Sequence, residues 1–140
     1  MPMPLEYSQA SHDFDRFVED ARIALDHTTR HQTYQTIESV FRVFRRRLAL
    51  PDAIAFAGAL PPVLRAIFVA DWNTEDPVRA FSDRAAMTRE VQQFRKNHDF
   101  SPDDAIAIIA SILKRNVDPV AFGRTMSQLP EEARAFWAVN

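Results

Sequence analysis

The sequence contains no cysteine. That absence excludes a disulfide framework, a zinc–thiolate site and a cysteine nucleophile, and it suits a reducing cytoplasm. Glycine is almost as scarce, with only Gly58 and Gly123 in the chain. Close approach of the backbone to a phosphate therefore has little to work with, and no P-loop, Gly-rich dinucleotide turn or G-x-S-x-G elbow exists. Neither sign of charge dominates: 17 basic residues face 19 acidic ones, a net charge of −2. No global field draws in nucleic acid or an anionic membrane. The opening MPMPLEYSQASHDFD lacks both a basic segment and an apolar core, so no secretory signal is expected there. A long apolar run is nearly present between Ala53 and Ala70, just short of the ~20 residues a spanning helix needs. Pro61 and Pro62 break its middle and Arg65 lies inside it. The expectation is two short buried helices and no membrane span.

What is present points one way. At 140 residues, 46% hydrophobic and 26% charged, the chain fits one folded domain, residues 1–140, burying roughly two-thirds of its unfolded surface. Nine prolines occur, most of them just after a cap or loop residue and just before an apolar periodic run. Ser101-Pro102 followed by Asp103 and Asp104 reads as a helix start: a hydroxyl cap, proline at the first position, carboxylates facing the positive dipole end. Asp118-Pro119 and Pro130 with Glu131 and Glu132 repeat the arrangement, and Pro51, Pro61 and Pro77 are read the same way. Between these punctuation marks the apolar period is helical. Phe14, Phe17, Val18, Ala21 and Leu25 share one face, as do Ile37, Val40, Phe41, Phe44 and Leu48, and later Ile106, Ile109, Ile112 and Leu113. No segment keeps a strand period and no hairpin dipeptide occurs. The predicted class is all-α.

The chain also echoes itself. LPPVLRAIF (Leu60–Phe68) returns in part as LPEEARAFW (Leu129–Trp137), and at the same shift of 69 Ile37 meets Ile106, Val40 meets Ile109 and Phe44 meets Leu113. Each half reads as two longer helices followed by two short ones. The expectation is a compact bundle of about eight helices, built from two pseudo-twofold-related repeats at about residues 12–72 and 77–138 that share one core.

Candidate chemistry is sparse. His27 and His31 are four apart, as a helical metal pair would be, but HTTRH lies where one helix should end and the next begin. They are expected to be solvated loop histidines, and neither a metal nor a cofactor is predicted. The run FRVFRRRL places Arg42, Arg45 and Arg46 on a stripe turned away from Phe41 and Phe44. It is expected to be the wet side of an amphipathic helix, with weak nucleic-acid binding as an alternative. Arg65 and Arg134 fall at equivalent positions of the echo. They either grip an anion together or fasten their short helices to a neighbouring acid or carbonyl, with Asp52 and Asp118 as partners. Trp72 and Trp137, near the ends of the two halves, are the interface candidates, because large aromatics anchor interfaces. Phe68 and Phe136 are expected in the core.

From about Phe14 to Trp137 the pattern resembles the bacterial family of domain of unknown function 2267 (DUF2267). The resemblance rests on Arg47-Leu48 ending a helix, an alanine-rich short helix, Leu60-Pro61 with Leu64-Arg65, Trp72 after it, and a second half closing on Leu129-Pro130 and Arg134. This chain departs from the pattern in having no glycine near Asn97-His98-Asp99. The resemblance implies a compact helical bundle of bacterial origin and no reaction, ligand or catalytic residue.

The functional expectation is a non-enzymatic, cytoplasmic interaction module that binds a protein partner or a second copy of itself. A small-molecule or metal-dependent enzyme would instead need a cleft between the halves, holding Arg65 and Arg134 with a histidine or carboxylate.

Overall fold

The computed structural model describes residues 2–94 and 101–139, and among these every regular element is an α-helix. The helices are α1 (Leu5–Ser8), α2 (Ala10–Leu25), α3 (Arg30–Arg45), α4 (Leu50–Gly58), α5 (Pro62–Val69), α6 (Arg84–Gln93), α7 (Ala105–Arg115), α8 (Pro119–Ser127) and α9 (Glu131–Phe136). The one-turn α1 precedes the four-plus-four order expected from the echo. The turn at Asn97-His98-Asp99 lies outside the described residues.

Local chemistry explains most boundaries. Helix α2 stops where Asp26 turns left-handed, at φ 56°. Helix α3 opens on a reciprocal cap: Thr29 Oγ1 accepts from Gln32 N at 3.1 Å, and Gln32 Oε1 accepts from Thr29 N at 3.1 Å. Two of the helix's orphan donors are thereby satisfied. Pro51 sits in the first turn of α4, Pro62 opens α5 and Pro119 opens α8 behind Asp118, whose carboxylate accepts from Val120 N at 3.0 Å.

Pro61 and Pro130 lie one residue before their helices, as the N-caps of α5 and α9, and two further prolines depart more from expectation. After Ser101-Pro102 comes a turn closed by Ala105 N donating to Pro102 O at 3.0 Å, and α7 starts only at Ala105. The groups that would have capped are committed elsewhere: Ser101 Oγ lies 2.9 Å from Thr36 Oγ1, and Asp103 accepts from Gln92 Nε2 at 3.0 Å. Pro77 starts no helix. The chain from 70 to 83 is irregular, and Arg79 N donates to Arg46 O at 2.9 Å, pinning this linker to the end of α3. Asp83 then caps α6 by accepting from Ala86 N at 2.7 Å.

Helix α3 is the hub, packed against α2, α5, α6 and α7. Its Ile37, Val40, Phe41 and Phe44 are fully buried in one hydrophobic cluster that also takes Phe17 and Val18 from α2, Ile106 and Ile109 from α7, and Phe136 and Trp137 from the C-terminal end. Phe44 lies 4.8 Å from Phe56 and 4.8 Å from Phe136, ring centre to ring centre. The core thus draws on both halves. The apolar stretch 53–70 is divided between α4 and α5, and no helix among the described residues is long and apolar enough to cross a membrane.

Candidate functional site

Arg65 and Arg134 serve the same local purpose at equivalent places. Arg65 Nη2 donates to Leu60 O at 2.8 Å and its Nε to Ala57 O at 3.1 Å, with Glu6 at 3.6 Å as an outer partner. Arg134 Nη1 donates to Leu129 O at 2.6 Å. Both reach five residues back to the leucine of the Leu-Pro step. Carbonyls left over at a helix end accept these bonds, so neither Asp52 nor Asp118 is the partner. Each guanidinium is occupied within its own joint.

The histidines part company. His27 is buried, not solvated as expected, and its Nδ1 lies 3.1 Å from Thr33 Oγ1. His31, beyond the Thr29 cap on α3, has its Nε2 2.8 Å from Gln35 Nε2. The helix break between them prevents a shared face. Among the described residues no group of three or more His, Cys, Asp or Glu side chains is placed to hold a metal ion.

The two tryptophans also differ. Trp137 is 1% exposed and so is no surface anchor. Its ring stacks on Phe56 at 5.5 Å and meets Phe44 at 5.2 Å, which makes it the keystone of the aromatic core. Trp72 is partly buried at the edge of the core, with the Arg45 guanidinium 5.2 Å from its ring centre.

That contact leads to the site. The FRVFRRRL segment runs through the last turn of α3 and just past its end, and its arginines are not a wet stripe. The linker 70–83 folds across them, so Arg45 is only 8% exposed. Arg45 Nη1 donates to Phe68 O at 3.0 Å and Ala70 O at 2.9 Å, capping the end of α5. Arg46 Nη1 donates to Glu90 Oε1 at 3.1 Å, and its guanidinium lies 4.7 Å from the Phe94 ring centre. Arg42 Nη2 stands 3.6 Å from Asp71 and 3.7 Å from Glu38, too far for hydrogen bonds, and its buried Nε has no partner among the described residues. Burial of Arg45 weakens the nucleic-acid reading, because a phosphate stripe needs that guanidinium free.

Arg42, Arg45 and Arg46 line one side of a cavity of about 240 Å³, with Trp72, Pro77 and Phe94 among its apolar walls and Asp71 and Asp76 at its acidic edge. Electrostatics in the pocket is unbalanced. Burial first, and then the neighbouring Arg42 and Arg46 charges, push the Arg45 guanidinium below its ordinary value. Burial and Arg79 do the same to Arg46, against the opposing pull of Glu90. All three remain cationic at any physiological pH. Crowded cations whose donors are only partly used favour an arriving anion.

Beside the pocket lies a cluster that fastens α6 to α3. Arg47, with its side chain 3% exposed, donates to both oxygens of Glu90, to Val43 O at 2.9 Å and to Ala80 O at 3.1 Å. Glu90 also meets Arg46 at 3.1 Å and Arg79 at 3.5 Å. Nothing in the local sequence marks Glu90, which is 43 residues from Arg47.

An all-helical bundle hinged on α3, with paired Leu-Pro-Arg joints and an arginine–tryptophan pocket, is the class of protein these features define. The chain belongs to the family described as "Uncharacterized conserved protein (DUF2267)", whose model matches residues 14–136. No curated protein matches it.

Proposed function

We propose that this chain is a non-enzymatic interaction module of the bacterial cytoplasm, and that the pocket at the end of α3 recognises an anionic group on a protein partner. The observation that carries the reading is Trp72, a partly exposed aromatic held against Arg45 beside two further arginines. Tryptophan and arginine are the side chains most enriched where interface energy concentrates. A planar guanidinium pairs well with carboxylates and other oxyanions. The lack of cysteine agrees with a reducing compartment.

The test is selection from a random peptide library on the immobilised chain. Enriched peptides are expected to share an acidic residue, and Trp72→Ala should capture them about tenfold less well. Enrichment without acidic residues, or capture indifferent to Trp72→Ala, would refute the proposal. If the partner is a second copy, light scattering across a concentration series will show association that Trp72→Ala weakens.

A further inference from the structure

Among the described residues Arg42 makes no hydrogen bond: its ion pairs stand at 3.6 and 3.7 Å, and its buried Nε is unpartnered. Among the same residues the hydrogen bonds of Arg45 run through Nη1, to Phe68 O and Ala70 O, and that of Arg46 through Nη1 to Glu90. A guanidinium carries donors on Nε and on both terminal nitrogens. The three guanidiniums line one cavity, and among the described residues several of their donors are not engaged by a protein acceptor. The nearby acids offset this charge in part, and each is also engaged elsewhere. Glu90 is committed to Arg47 and Arg46, Glu38 accepts from Tyr34 Oη at 3.0 Å, and Asp76 accepts from Asn73 Nδ2 at 3.2 Å.

Asp71 is the exception. Its backbone is held at φ 55°, a left-handed conformation that few residues with a Cβ adopt. Its carboxylate is 89% exposed and stops 3.6 Å from Arg42. It is near enough to offset charge and too loosely placed to satisfy a donor.

We infer that the pocket is a receptor for a phosphoryl group, and that Asp71 is the resident carboxylate such a group displaces from Arg42. This rests on the reading of the pocket as the recognition site and names its ligand chemistry. A phosphomonoester carries close to two negative charges and three strong acceptor oxygens that point in different directions. Three guanidiniums lining one cavity can meet oxygens that point in different directions, which a single planar carboxylate does not offer. The walls formed by Trp72 and Phe94 limit competing water and strengthen each charged contact.

The experiment is a titration of the isotope-labelled full chain with inorganic phosphate at constant ionic strength, read through arginine Nε–Hε resonances. The Arg42 and Arg45 signals are expected to move saturably while Arg115, on the exposed end of α7, stays still. Arg42→Gln should weaken binding about tenfold, and Asp71→Asn should tighten it roughly two- to fivefold, the range set by a surface ion pair. A phosphoserine peptide run in parallel distinguishes the source: tighter binding than inorganic phosphate indicates a phosphorylated protein, equal binding a free phosphate. An absence of saturable movement, or movement untouched by Arg42→Gln, overturns the phosphoryl assignment. Unchanged affinity in Asp71→Asn overturns the displacement. If acidic peptides bind and phosphate does not, the phosphoryl inference fails alone; if neither binds, the interaction reading falls with it.

Discussion

Trp137→Ala is expected to cost about 3–5 kcal/mol of folding stability, the range for truncating a large buried aromatic. The indole packs against Phe41, Phe44, Phe56 and Phe136 at ring separations of 6.1, 5.2, 5.5 and 5.0 Å, so its removal leaves a cavity bordered by rigid rings. Rings close around it poorly, and the lost contacts are not regained by small shifts. Trp137→Phe makes a sharper comparison. The indole N–H has no hydrogen-bond partner among the described residues, so this change keeps a ring in the stack and sacrifices none of the bonds they make. Its expected cost is only about 1–2 kcal/mol. Urea unfolding followed by far-UV circular dichroism measures both. Equal losses in the two variants would contradict the keystone role.

Glu90→Gln is expected to cost about 3 kcal/mol, because it leaves the buried Arg47 guanidinium without its charge partner. Arg47 keeps its bonds to Val43 O and Ala80 O, which is why the loss should stop short of unfolding. The same pair sets a pH dependence. Burial alone would raise the Glu90 carboxyl, but hydrogen bonds and charge from Arg47 and Arg46 outweigh it and hold the group below the ordinary carboxylate range. A depressed carboxylate contributes stability that is fully present above its unfolded value and is lost as pH falls toward its folded value. The wild type should therefore lose stability below about pH 4 more steeply than Glu90→Gln. Parallel pH profiles for the two proteins would show that the cluster contributes nothing. Arg47→Lys should not substitute for arginine, since an ammonium cannot reach both carboxylate oxygens and both carbonyls at once.

The fold was legible where its determinants are local. Thr29 and Gln32 sit three apart and cap each other, and Pro51 and Pro119 lie in first helical turns as expected, whereas Pro61 is the N-cap of α5 and Pro62 its first residue. The Leu-Pro-Arg echo marked the two joints, and the fastening of Arg65 and Arg134 follows from orphan carbonyls at short helix ends. Trp137 and Phe68 fall at the same place of the echo and both are buried, so the pairing that marks the joints also carries burial, against the interface expectation for Trp137.

The pocket was only half visible. The sequence shows Arg42, Arg45 and Arg46 as a stripe and Trp72 as a large ring near the end of the first half, but nothing in their spacing brings them together. The roof over them is the linker 70–83, which has no apolar period and is held by the bond from Arg79 N to Arg46 O. Ser101-Pro102 failed as a helix start for a related reason: Ser101 Oγ meets Thr36, 65 residues away. Long-range partners of this kind leave no trace in spacing.

The most direct test of the account is calorimetric titration of one selected acidic peptide into the wild type, Trp72→Ala and, as a surface control, Arg115→Ala. The account predicts that Trp72→Ala weakens binding about tenfold or more while Arg115→Ala stays near the wild-type affinity. Binding that survives Trp72→Ala unchanged would contradict the claim that the pocket at the end of α3 is the recognition surface.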